Sequence, residues 1–416
     1  MVRPRTSVSG AVLAITYAFE VTQPQTTAPG GAYDFVLPPY VEAYRQRGRL
    51  AWMIVVGLVG VLGVAGGVFI ALSADDATGA SLSIGYALLP LPILWLVYWW
   101  LDRYEPEPRR YLVAAFIWGG VVSVAIALAL QLWIDRTWDL TAEEGATFVA
   151  PLTEEPAKCL FLVLTFVRAR RVIDGMLDGL ILAGLVGVGF AFVENIGYYA
   201  GSYLGSTATE IAGAEGATAT FVVRGVFSPF AHPLFTSAFG IALGIAVTRR
   251  SWWVRIPLLV VGLAGSIGLH GLWNGSLSYG GGIGFLLVYL ALAVVLAVVA
   301  TIAIVVRTRQ VRTLERSLAY VGQRGWIHPA EIPYLSRFHY RTAARRYARR
   351  HHGAVAAKVV RRYQRLATEM AFLHDRVMRG QRVPHGVDRT YALLDAMYAL
   401  RPGLRLPPAL RPIGRH

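Results

Sequence analysis

Eight stretches of this chain are too long and too apolar for the core of a water-soluble protein. They lie near residues 51–72, 82–101, 111–134, 146–167, 176–200, 221–247, 253–273 and 283–306. A helix that crosses a bilayer needs about 20 mainly apolar residues. Lipid offers no partners to backbone N–H and C=O groups, so each stretch must be a helix that satisfies its own hydrogen bonds. The predicted fold class is all-α, a polytopic membrane helix bundle of about eight spans with a small helical cytoplasmic C-terminal region. Charged residues make up only 16% of the 416, against about 25% in soluble domains. The single cysteine, Cys159, excludes a disulfide framework and any cysteine-based zinc module.

The net charge of +15 is concentrated at one end. From Arg307 onward there are 23 basic and 6 acidic residues, a net +17, whereas the preceding residues net −2. Arginines also set the expected orientation. Arg45, Arg47 and Arg49 precede the first span. Arg103, Arg109 and Arg110, then Arg168, Arg170 and Arg171, then Arg249, Arg250 and Arg255 occupy alternate connections, and Arg307, Arg309, Arg312 and Arg316 follow the last span. The intervening connections carry Asp75 and Asp76, then Asp135, Asp139, Glu143 and Glu144, then Glu210 and Glu215, with only Arg136 against the trend. This alternation predicts a multi-pass plasma-membrane protein with both termini in the cytoplasm. A signal peptide at Ser7–Phe19 would place Arg45–Arg49 outside the cell and is rejected.

Three regions follow: a disordered cytoplasmic tail at 1–45, the eight-span domain at 46–306, and a basic helical cytoplasmic region at 307–416. In the last, Pro329-Ala330-Glu331 suits a helix start, and an arginine-rich run reaches His352 before Gly353. A second run covers Ala354–Arg379 before Gly380, and a third covers Val387–Leu400. Such a hairpin suits the inner leaflet, where arginine is drawn to anionic lipid headgroups. Tyr340, Tyr347 and Tyr363 interleaved with arginine would also suit nucleic acid, the lesser of the two readings.

Ionisable groups within the spans carry the functional signal, because burying them in lipid is costly and they ordinarily face an interior cavity. Span four contains Glu154, Glu155 and Lys158, span five Glu194 and Asn195, span six His232, and span seven His270 and Asn274. At ~1.5 Å per residue, Glu154 lies ~12 Å, Glu194 ~9 Å, His232 ~16 Å and His270 ~5 Å in from the outer ends of their spans. Four helices of alternating direction thus bring acids and imidazoles to one half of the bilayer. Glu154 and Glu155 project about 100° apart. Lys158 is within reach of both, at i+4 and i+3, so the expectation is that it holds one glutamate and leaves the other free. Arg224, Asp174 and Asp178 sit near span ends, where snorkelling or capping is the ordinary role. Gly179, Gly184, Gly187 and Gly189 read as close-packing positions between helices.

Two chemistries suit this set, and both hydrolyse an amide. A glutamate can activate water opposite donors from His270 and Asn274 that stabilise the oxyanion. Alternatively Glu194, His232 and His270 can hold Zn²⁺ with water as fourth ligand and Glu154 or Glu155 as base. The sequence has no H-E-x-x-H, no intramembrane G-x-G-D pair and no Gly-x-Ser-x-Gly elbow, which excludes the corresponding protease types. An ion- or proton-coupled transporter is the alternative, since Glu/His chains also serve as proton relays. The internal repeat expected of a transporter is not visible.

The ordered set Glu154-Glu155-x-x-Lys158, Phe190-x-x-x-Glu194-Asn195, His232-Pro233 and His270-x-x-x-Asn274 resembles the PrsW family of intramembrane proteases, a branch of the superfamily that includes the CAAX prenyl endopeptidases. The resemblance covers about residues 80–306, and the basic helical tail also resembles actinobacterial members. In the CAAX branch a histidine stands where this chain has Glu194, and the first motif has a longer spacing, to an arginine. The resemblance implies cleavage of a membrane-anchored protein substrate, such as an anti-sigma factor, in a site-1-type cut on the extracytoplasmic side. It also implies Glu154 as the residue that activates water, whereas the helix spacing alone pairs Glu154 with Lys158 and frees Glu155.

Overall fold

The computed structural model describes residues 77–169, 172–205, 211–380, 383 and 385–408. The expected N-terminal tail at 1–45 and the first expected span at 51–72 lie outside the described residues. Every regular element among the described residues is helical, which makes this an all-α membrane bundle. Helices α1 (Ala77–Leu88) and α2 (Leu91–Leu101) make one crossing, interrupted near Pro90, which has no N–H to donate. Then follow α3 (Arg109–Thr137), α4 (Ala150–Arg168), α5 (Met176–Tyr203), α6 (Gly213–Phe221), α7 (Ala231–Val247), α8 (Trp252–Tyr279) and α9 (Gly281–Gln323).

Six helical segments among the described residues are long and apolar enough to cross a membrane. Helix α4 is kept out of that number by its charged residues Glu154, Glu155 and Lys158. The sixth expected span, 221–247, starts earlier than expected, at Gly213, and is broken at Ser228–Phe230. The small and polar residues of Gly213–Thr220 read as a loop in sequence, and this disguised the helix start. Arg224 therefore lies a dozen residues inside the crossing rather than at its end.

Helix α5 is the hub. In its most apolar stretch 83% of residues are buried, against 6% in α9, whose leucines, valines and isoleucines point outward as lipid-facing side chains do. Glycine allows the close approach. A Cβ on Gly119 of α3 would collide with the Val186 carbonyl of α5, and one on Gly189 of α5 with the Phe116 carbonyl of α3. Gly179 and Gly240 stand in the same relation between α5 and α7, and Gly187 backs onto the His232–Pro233 backbone. Such backbone-to-backbone contact maximises van der Waals packing where lipid supplies no hydrophobic drive. Gly189→Ala is expected to lower the stability of the detergent-solubilised protein by about 1–3 kcal/mol through overpacking. A thermal unfolding midpoint equal to that of the unaltered protein would refute the tight α3–α5 contact. At the start of α5, the Asp178 carboxylate accepts from the Asp174 and Gly175 N–H groups, a capping role.

The described residues fall into two compact units that meet in sequence at Arg307 and Thr308. The C-terminal unit comprises the end of α9, α10 (Ile332–Ser336), α11 (Phe338–Met378) and α12 (Gly386–Ala399). Gly353 interrupts α11 with a φ of 84°, and Gly380 follows its end with a φ of 69°. Both are left-handed positions that glycine adopts without a Cβ clash. Arg341, one of the arginines of the amphipathic run, is buried. It donates to the Leu335 carbonyl, the Thr368 hydroxyl and the Gln364 carbonyl. Part of this basic region is therefore core.

Candidate active site

Helices α4, α5, α7 and α8 bring their polar residues into one buried cluster. Helix α4 turns Glu154, Glu155 and Lys158 inward together. The Lys158 ammonium is completely buried and donates to Glu154 Oε2 at 3.2 Å and to Glu155 Oε1 at 2.8 Å. It also lies 3.1 Å from His232 Nδ1 and 3.6 Å from the centre of the Phe190 ring. The expectation of one held and one free glutamate is thus corrected: Lys158 holds both, because i+3 and i+4 are both in reach of its flexible stem.

The two glutamates differ in what else they meet. Glu155 is fully buried: Oε1 also faces His270 Nδ1 at 3.0 Å, and Oε2 accepts from the Thr236 hydroxyl at 3.0 Å. Glu154 accepts from Gln131 Nε2 at 3.3 Å on Oε1 and stands 3.9 Å from His270 Nε2 on Oε2. It is Glu154, not Glu155, that lines a cavity of about 740 Å³, with Glu194 also on its wall. Gln131, Asp135 and Tyr198 add polar groups, and Leu128, Leu132 and Val149 supply apolar surface.

Glu194 of α5 is gripped on Oε2 by His232 Nε2 and by an Arg224 guanidinium nitrogen, each at 2.6 Å. Arg224 Nε donates to Asn195 Oδ1 at 2.7 Å, so Asn195 positions the arginine. The His232 tautomer follows from its partners: an ammonium donates to Nδ1, which leaves the proton on Nε2 for Glu194. The same logic gives His270 its proton on Nδ1, toward Glu155, and leaves the Nε2 lone pair facing Glu154. The His232 and His270 rings are 5.1 Å apart, and Phe235 stacks on His270 at 5.0 Å.

Asn274 takes its hydrogen-bond partner from outside this cluster. Its Nδ2 donates to the Ala146 carbonyl at 2.8 Å, pinning the π-helical turn Gly145–Val149 that leads into α4. Three residues that sequence reasoning set aside or did not single out complete the site. Arg224 reads in sequence as a snorkelling residue because its helix begins at Gly213, ahead of the apolar run. Gln131 and Thr236 carry no signal in sequence, since single amides and hydroxyls are ordinary in apolar helices.

Glu154, His232 and His270 each offer one ligand atom within 4.8 Å of the others, and all three are buried. Two imidazoles and a carboxylate are a fitting donor set for a catalytic divalent metal, with His232 exchanging its contact to Lys158 or to Glu194 for the metal. The Glu155 carboxylate behind His270 Nδ1 is the outer-shell partner that such a histidine ordinarily has. This group differs from the expected Glu194, His232 and His270 in one member, because Arg224 and His232 already share the Glu194 oxygen.

A family model described as "PrsW family intramembrane metalloprotease" matches residues 107–304. The chain is 29% identical over 196 residues to "Protease PrsW" of Clostridioides difficile, covering 43% of this chain and 76% of that protein. It is 27% identical over 184 residues to "Protease PrsW" of Geobacillus kaustophilus, covering 43% and 72%. No solved structure matches. These matches favour hydrolysis over ion transport as the activity of the protein. Residues 107–304, which hold every member of the Glu/His cluster, match the PrsW family of intramembrane metalloproteases, and this multi-pass membrane protein is a peptide hydrolase.

Proposed function

We propose that the protein hydrolyses a peptide bond of a membrane-anchored protein, with Glu154 activating water in the 740 Å³ cavity. The observation that carries this reading is the difference between neighbours: Glu154 reaches the cavity, whereas Glu155 is enclosed by Lys158, His270 and Thr236. In this reading Glu154 takes a proton from water as the oxygen attacks the scissile carbonyl, then returns it to the leaving amine. The Gln131 amide, beside Glu154 on the cavity wall, turns the N–H that it gives to Thr153 toward the oxyanion. Lys158 holds Glu154 in place at 3.2 Å, and Glu155 orients His270.

A divalent cation, zinc by its donor set, would be held by Glu154, His232 and His270 and would polarise water and the carbonyl. Glu154 suits both tasks, since Oε2 lies on the imidazole side and Oε1 on the Gln131 side. The expected results are loss of cleavage after dialysis of the purified protein against a strong chelator, restoration by Zn²⁺, and loss in His270→Ala. Full activity after verified metal removal would leave the glutamate alone as catalyst.

The regions expected from sequence complete the reading. Residues 46–306 form the protease domain, and 307–416 face the cytoplasm at the plasma membrane, near anionic lipid. Both termini are then cytoplasmic, and the cluster opens toward the outer leaflet. The substrate class is a membrane-anchored regulator such as an anti-sigma factor, cut on the extracytoplasmic side. Comparing membrane-protein fragments between cells with the unaltered protein and cells with Glu154→Ala/Glu155→Ala tests this assignment. Absence of any fragment that depends on the glutamates would refute it.

A further inference from the structure

The C-terminal unit contains a cleft of about 440 Å³ lined by Arg309, Arg312, Thr313 and Arg316 of α9 and by Asp375 and Arg379 at the end of α11. Four guanidiniums thus face one carboxylate. That carboxylate is already ion-paired, Asp375 with Arg379. Glu315, the acid nearest in sequence, is taken by Arg337 and Ser336. Among the described residues, Arg309, Arg312 and Arg316 have no acidic partner, and all three are exposed. At spacings of three and four they lie on one helix face and repel one another.

An anion that accepts several hydrogen bonds would relieve this repulsion. Phosphate esters fit best, because a guanidinium fork engages two phosphate oxygens at once. The Thr313 hydroxyl adds another donor. Position along α9 suggests the source. At ~1.5 Å per residue, Arg309 and Arg312 follow Val306, the last residue of the apolar run, by ~5 and ~9 Å. The headgroup layer is about 5–8 Å deep on each side of the hydrocarbon.

We propose that this cleft binds the phosphate group of an anionic membrane lipid. The proposal narrows a general attraction of the basic region for acidic lipid to one site, and it is independent of the proteolytic reading.

The test uses the purified full-length chain in detergent, with its thermal unfolding midpoint followed as dioctanoyl phosphatidic acid is added. A saturable rise is expected, with dioctanoyl phosphatidylcholine giving little effect. The triple variant Arg309→Gln/Arg312→Gln/Arg316→Gln should raise the apparent Kd by about a hundredfold, the scale expected for three lost headgroup charges. Removing the same charge elsewhere, in Arg349→Gln/Arg350→Gln/Arg361→Gln, should leave the Kd unchanged. Equal weakening in that control would overturn the proposal in favour of a diffuse basic surface. Saturation by inorganic phosphate at the same concentration would overturn the lipid as ligand. If the triple variant does not fold, Arg312→Lys keeps the charge but loses the fork and should weaken binding severalfold. An unchanged Kd in that variant would also overturn the proposal.

Discussion

Glu154→Gln is expected to reduce cleavage of a reconstituted single-span substrate by about 10²–10⁴-fold, the usual contribution of a positioned general base. The protein should keep its thermal stability. The glutamine retains an oxygen for Lys158, and Lys158 keeps its 2.8 Å partner in Glu155. Glu155→Gln should behave differently. It weakens the charge on a fully buried oxygen shared by Lys158 and His270, so stability and activity should fall together. Initial rates in proteoliposomes, read beside unfolding midpoints, separate the two cases. Wild-type cleavage by Glu154→Gln would end the assignment of Glu154 as base. Loss of both properties in both variants would mean that the two carboxylates act as one structural unit.

Lys158→Met should have the largest effect on folding. Its ammonium is the shared partner of Glu154, Glu155 and His232 Nδ1 and has no exposure of its own. Removing one member of a buried ion pair costs about 3–5 kcal/mol, because the remaining charge is left without compensation. Here two carboxylates lose the same partner. Little folded protein should survive extraction, as read by gel filtration and thermal unfolding. Adding Glu154→Gln and Glu155→Gln to Lys158→Met should restore much of the stability and none of the activity. A Lys158→Met protein as stable as wild type would show that the ammonium does not hold the pair.

Much of the architecture was legible in the chain because lipid leaves few choices. Apolar runs of bilayer length must be helices, and intramembrane acids and imidazoles must find one another or water. The helix breaks at Gly353 and Gly380 were equally readable, since both glycines take left-handed backbone angles. Two signals misled. Gly213–Thr220 is rich in small and polar residues, so the sequence places the start of the sixth crossing too late and Arg224 at its end. The spacing of Glu154, Glu155 and Lys158 puts both acids in reach but does not say that one ammonium holds both at once.

Sequence alone determined the helical class, the membrane setting and the roster of charged residues that had to be sequestered, since each follows from the cost of exposing polar groups to hydrocarbon. It could not decide which of two adjacent glutamates meets water. Side chains 100° apart on α4 both turn inward, and their surroundings come from other helices: Gln131 of α3 and the cavity for Glu154, Thr236 of α7 and His270 of α8 for Glu155. Nor could it pair Arg224 with Glu194, or send Asn274 to the Ala146 carbonyl. Those assignments depend on the rotation and depth of each helix, which are set where glycine lets α5 press against its neighbours. That packing is a property of the assembled bundle, and no single span contains it.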